Sequence, residues 1–277
     1  MPEVARGSAQ SRPGIAGWIL IGLAGGYATL LLVGPLIAMT WGAFSGGLGT
    51  FISRLSTPDA LHALFLTAYL AVGATAINAV LGLATALVLS RDSFRGQRVL
   101  NAIVDLPFAI SPVITGFLVI LLFGRNGWLR PLAETLGIQV IFAVPGMLLV
   151  TAFISLPFVI REVMPVLEHL GVQQEQAART MGANRWQILW RITLPGIRTS
   201  MLYGISLSFA RAIGEVGAVL VVSGSVSGFT ETATLYIFGA LDERDEIGAY
   251  AMALVLAAAS LALFFGIRIL LHRRAVR

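Results

Sequence analysis

The sequence predicts an all-α integral membrane protein with six transmembrane helices and both termini cytoplasmic. Three observations carry this reading. Mean hydropathy is +0.85, with 57% hydrophobic and 12% charged residues, outside the range of soluble globular chains. Charges cluster and leave long neutral runs between them. Finally, arginine is distributed unevenly between alternate connecting segments.

The elements follow in chain order. Residues 13–53, 60–90, 135–160 and 247–267 hold no Asp, Glu, Lys or Arg, and each is long enough for a span, which needs about 20 apolar residues. Two further apolar runs carry charge: 99–124 contains Asp105, and 199–230 contains Arg211 and Glu215. The first run follows Arg6 and Arg12 as a secretory signal would, but Ile15 to Phe44 is twice the roughly 7–15 residues of a signal core, so it is expected to stay as an anchor. Pro107 and Pro157 predict kinks in their helices. The segments 1–59 (tail, first span and outer loop), 60–271 (five spans and the arginine-rich loop, about 161–198) and 272–277 (tail) divide the chain.

Orientation follows from arginine. Fourteen arginines fall in one set of connecting segments, including Arg91, Arg95 and Arg98 and the loop 161–198. Four fall in the other: Arg54, Arg125, Arg130 and Arg244. The positive-inside bias places the richer set, and both termini, in the cytoplasm. The net charge of +5 is thereby explained by orientation, and no nucleic-acid partner is implied; membrane lipid is the surrounding. With no cysteine, disulfides and thiolate metal sites are excluded. With no lysine, so is a P-loop, and the chain is not its own conventional ATPase.

The stretch EQAARTMGANRWQILWRITLPGIR, residues 175–198, is polar in an apolar chain and holds four arginines. QEQAARTM reads as a short helix with Ala177, Ala178 and Met181 on one face, interrupted by Gly182. NRWQILW reads as a second, with Trp186, Leu189 and Trp190 sharing a face, and Pro195 is expected to end it. Helices this short are marginal alone and need a surface. Tryptophan and arginine suit the lipid interface, whereas the small alanine face suits entry into a protein groove.

Ala177-Ala178, then Gly182, then Ile192-Thr193-Leu194-Pro195 resembles, in its full spacing, the EAA loop of permease subunits in type I ABC importers. DLPFAISPV at 105–113, LPFVIREVMPV at 156–166 and ARAIGEVGAVLVVSG at 210–224 extend the resemblance from about Ala60 onward to the sulfate/thiosulfate permeases, most of all their W-type subunit, with molybdate permeases as near neighbours. The resemblance implies a permease that forms the translocation path by alternating access in a bacterial inner membrane, with coupling helices seated on a separate ATP-binding subunit. It also implies two copies of that subunit holding ATP and Mg, a second, T-type permease, and a periplasmic or lipid-anchored sulfate-binding protein. Coupling then falls to Glu175, Gln176, Ala177, Ala178, Gly182 and Ala183. Two positions depart from the pattern: Gln176 stands where the motif has glutamate, with Glu175 one residue earlier, and Val216 stands where an aromatic residue is usual.

Arg211 and Glu215 lie four apart, on one helical face. They are read either as a self-neutralising pair that fixes the helix, or as a path-facing cation tempered by its neighbour. Ser206 and Ser208, with Ser111 and Thr115, offer hydroxyls to an anion or to their own helix backbone. Asp105 reads as an interfacial or capping residue. The competing classes are a molybdate, tungstate or other oxyanion permease, a channel, and an intramembrane enzyme. For the enzyme, His62, His169 and His272 are far apart in sequence, and neither a zinc H-E-x-x-H nor a G-x-S-x-G elbow is present.

Overall fold

The computed structural model describes residues 15–275. Arg6, Arg12 and Arg277, on which part of the orientation argument rests, lie outside the described residues. Lipid offers backbone amides no hydrogen-bond partners, so a chain this apolar must satisfy them internally. The result is a chain of helices: α1 (Ile15–Phe44), α2 (Gly47–Leu55), α3 (Pro58–Arg91), α4 (Gln97–Ala109), α5 (Pro112–Phe123), α6 (Arg130–Thr135), α7 (Val144–Leu170), α8 (Gln173–Thr180), α9 (Arg185–Ile188), α10 (Leu194–Ile213), α11 (Gly217–Ser223), α12 (Ala233–Asp242) and α13 (Glu246–Ala275).

Four helices, α1, α3, α7 and α13, are long and apolar enough to cross a membrane. The predicted six spans are reached when two bent pairs each count as one: α4 with α5, bent by 114°, and the α9–α10 helix with α11, bent by 56°. The first break has a local cause. Ser111 precedes Pro112, which disfavours the helical region for it, and Ile110 beside it is extended as well. Pro107 lies inside α4 and the sharp bend comes after it. The charge-free run 135–160 understated its helix, since α7 runs on to Leu170 and takes Arg161 with it; the loop begins at Gly171. The segment 225–246, expected as an outer connection, is more ordered than a plain loop, because α12 buries Ala233, Leu235 and Ala240.

The core is built on α3, α7 and α10. Val159 of α7 is fully buried between two glycines: a Cβ on Gly82 of α3 would lie 2.8 Å from its side chain, and one on Gly204 of α10 would lie 3.0 Å from its Cα. Small residues let backbones approach where lipid supplies no hydrophobic drive between helices. One end of this core packs Ala86, Leu89, Val104, Ile160, Val163, Leu167 and Ile197 together. The other packs Leu66, Leu70, Val119, Met147, Val150 and Val222. α1 stands to one side against α13, with Gly42 closed on the ring of Tyr250 and most of its surface exposed.

A polar knot crosses the middle. Asn78 Nδ2 donates to Ser155 Oγ at 2.9 Å and to Ser208 Oγ at 3.1 Å, and Ser155 donates on to Thr151 O. All three side chains are buried, so α3, α7 and α10 are held in one register by bonds with no water to compete. Asn78→Ala is expected to cost about 1 kcal/mol, the scale of interhelical hydrogen bonds in membranes, and to lower the thermal midpoint of the detergent-purified protein.

Candidate functional site

The loop joining α7 to α10 is a fastened hairpin. α8 ends at Thr180, and Gly182 two residues on, with a φ of +85°, reverses the chain where a side chain would be strained. Asn184 then starts α9 with a capping box: its Oδ1 accepts from Gln187 N, and Gln187 Oε1 accepts from Asn184 N. Contrary to expectation, Pro195 does not end the segment. A π-helical turn, Leu189–Thr193, carries α9 directly into α10. The widened turn precedes a residue that has no N–H to give, and Pro195 sits in the first turn of α10.

The predicted loop residues divide between two faces. Ala178 is buried and Glu175 mostly so, while Gln176, Ala177 and Gly182 are exposed and Ala183 is half-buried. The proposed face of Ala177, Ala178 and Met181 is therefore split, with Ala178 turned inward and Met181 82% exposed. In the second helix Ile188 is the buried anchor, and Trp186 and Trp190 stand 71% and 66% exposed. The two indoles thus face outward and take no part in the core.

Glu175 is held from inside. Its Oε1 accepts from Arg91 Nη2 at 3.0 Å and from Thr193 Oγ1 at 3.1 Å, and Arg91 Nη1 donates to Leu167 O at 2.9 Å. Arg91 carried no individual signal in the sequence beyond its place in a basic cluster. Asp105, expected as an interfacial or capping residue, is instead in the third turn of α4 and forms a two-pronged pair with Arg161: Nε to Oδ1 at 2.9 Å and Nη2 to Oδ2 at 2.7 Å. Planar guanidinium and carboxylate match in this geometry, and the charge of each is offset where α4 meets α7.

Arg211 and Glu215 do meet. Arg211 Nη1 lies 2.7 Å from Glu215 Oε2, without the alignment of a hydrogen bond. Glu215 is 3% exposed in its side chain and spends Oε1 on the amide of Ala218, opening α11. The pair sits where the two broken spans touch. A Cβ on Gly217 would lie 3.1 Å from Pro112, and one on Gly116 would lie 2.6 Å from Ala218 O. Between the breaks is a cavity of about 410 Å³ lined by Pro112, Ala210, Arg211, Gly214, Glu215 and Val216, among others. The candidate hydroxyls go elsewhere: Ser206 donates to Leu202 O, Thr115 to Ser111 O, and Ser208 accepts from Asn78.

At the end opposite the hairpin, Glu231 lies between α11 and α12. Burial pushes its carboxyl above the usual range; a hydrogen bond with Ser227 opposes this, Asp59 and Glu243 add to it, and His62 opposes it. Among the described residues no group of His, Asp or Glu is arranged to hold a metal ion.

A helical bundle with two broken spans, a charged pair at their junction and a fastened hairpin between spans is the architecture of a multi-pass membrane protein. The chain belongs to the family of binding-protein-dependent transport system inner membrane components, whose model matches residues 78–276. It is 47% identical over 242 residues to the sulfate transport system permease protein CysW of Synechococcus elongatus, covering 87% of this chain and 85% of that one. Against CysW of Escherichia coli K12 the figures are 41% over 239 residues, 86% and 82%. Against the CysT permease of the same strain they are 37% over 247 residues, 89% and 89%. The crystal structure of a bacterial ABC transporter involved in the import of the acidic polysaccharide alginate shares the fold, with a TM-score of 0.76 at 20% identity over 92% of this chain and 96% of that one. The chain is thus a multi-pass membrane permease subunit of an ABC importer.

Glu231 gives a pH dependence. Unfolded, the carboxyl ionises near its ordinary value of 4.5, and folded it ionises higher. Between those points the unfolded chain binds fewer protons, so stability falls as pH rises. Glu231→Gln is expected to flatten that slope, read as thermal midpoints of the detergent-purified protein from about pH 4 to about pH 7.

Proposed function

We propose that the chain is a sulfate-translocating permease subunit of an ATP-driven importer in a bacterial inner membrane, with both termini and the 171–198 hairpin in the cytoplasm. The observation that carries this is the hairpin itself. It is fastened inward through Glu175 and Ala178 and left open outward through Gln176, Ala177, Trp186 and Trp190. Such an edge suits a groove on a separate ATP-hydrolysing subunit, present in two copies and holding the ATP and Mg that a chain without lysine does not bind through a P-loop. Sulfate as cargo is supported by the names of the CysW and CysT relatives. A second permease of the CysT kind and a periplasmic binding protein complete the assembly.

Arg211 is the residue of this chain best placed to meet an oxyanion. Its side chain is 29% exposed at the cavity between the breaks, and Glu215 beneath it offsets the charge. A cation so tempered attracts an anion without trapping it, and transport needs release as much as entry. Val216 leaves this junction without the aromatic ring usual in related motifs.

Uptake of labelled sulfate into vesicles containing the assembled complex, with molybdate and thiosulfate as competitors, tests the assignment. ATP-dependent uptake that unlabelled sulfate suppresses more strongly than molybdate is expected; uptake indifferent to sulfate overturns the cargo. Arg211→Gln is expected to lower sulfate uptake about tenfold, equivalent to about 1.4 kcal/mol, with the complex still copurifying. Loss of the assembled complex in that variant assigns the pair to architecture.

A further inference from the structure

α8 touches the bundle through very little. Ala178 is its one buried residue, and beyond it the helix is fastened by the carboxylate of Glu175. That carboxylate gathers three other elements. Arg91 is the last residue of α3, and its guanidinium reaches Glu175 with Nη2 and the Leu167 carbonyl in the last turn of α7 with Nη1. Thr193, closing the π-helical turn ahead of α10, donates to the same Glu175 oxygen. The cluster is shielded, with the Arg91 and Glu175 side chains 14% and 12% exposed and Thr193 buried. Arg91 Nε is buried with no acceptor, so the guanidinium is oriented by its two Nη contacts, and losing Glu175 leaves it one carbonyl.

We infer that Arg91, Glu175 and Thr193 form the joint through which displacement of α8 is passed to α3, α7 and α10. This deepens the proposed function and rests on the hairpin being moved by an ATP-hydrolysing partner. The physical reason is one of load paths. Exposed side chains on α8 can be gripped from outside, but force enters the membrane helices only through bonds that resist it. Among the described residues, apart from the chain itself and one alanine, those bonds are here. A charge-assisted bond of fixed geometry transmits displacement where a single alanine contact would slide. The joint also fixes the division of labour between neighbours: Glu175 faces inward as a positioning residue, and Gln176 faces outward where a partner would sit.

The test uses the complete complex in proteoliposomes, reading labelled sulfate taken up per ATP hydrolysed. Glu175→Gln and Arg91→Gln are expected to lower that ratio about tenfold, the size of one lost charge-assisted bond, and Thr193→Val to lower it less. This chain has no cysteine, so Arg91→Cys with Glu175→Cys on a cysteine-free complex can be bridged by a short, reducible bis-thiosulfonate. Bridging is expected to restore the ratio, and reduction to abolish it again. An unchanged ratio in assembled variants, or bridged and reduced complexes that behave alike, overturns the joint. If either charge variant fails to assemble, Thr193→Val and the bridged pair decide by the same criteria. Failure of the wild-type complex to take up sulfate with ATP overturns the functional reading instead.

Discussion

The cost of an unpaired charge at low dielectric organises this molecule. Once most of the chain is committed to lipid, each charge drawn into the bundle needs an opposite charge or a cavity beside it. Three such pairs mark the places where helices must be held in fixed relation. Asp105 with Arg161 ties α4 to α7, Arg91 with Glu175 ties α3 to α8, and Arg211 with Glu215 closes the break between α10 and α11. Between them the neutral knot of Asn78, Ser155 and Ser208 sets register without charge. Polar contacts thus specify the arrangement, and glycine contacts around Val159 let the helices come close enough to make them.

The breaks follow from the same economy. A helix interrupted in lipid exposes amides and carbonyls, so an interruption survives where protein or a cavity satisfies it. Both interruptions lie against each other: Pro112 begins one half-helix, Gly217 begins the other, and Glu215 gives a carboxylate oxygen to the amide of Ala218. The two interruptions border the same open pocket, which Pro112 lines from one and Gly214 to Gly217 from the other. Arg211 lies there too, at the point of the bundle where irregular backbone and open space coincide.

Hydropathy made the spans legible because a run without charge has few alternatives to crossing the membrane. It misplaced the end of α7 because Arg161 reads as a boundary in isolation and as a paired residue in three dimensions. The turn before Pro195 misled for a similar reason: a proline stops an ordinary helix, but a π-helical turn ahead of it lets the chain continue. Arg211 and Glu215 were legible through i, i+4 spacing, which is local. Arg91 and Asn78 were not, since their partners lie 84 residues away in one case and 77 and 130 in the other. No periodicity in a single chain encodes such a distance.

The hairpin shows why its two halves differ in composition. Its first helix offers small, exposed positions and one inward carboxylate, so a partner can approach closely while the helix stays tied to the bundle. Its second helix presents two large indoles that neither pack inward nor point at the core. The indoles and arginines of the second helix suit the lipid interface, whereas the exposed Gln176 and Ala177 of the first give lipid little to hold. The exposed Ala177 and the two indoles are the positions the hairpin leaves open for the partner proposed above. The inward carboxylate of Glu175 ties the first helix to Arg91 of α3 and to Thr193 ahead of α10, so under the proposed coupling a handle at α8 has a shank to act through.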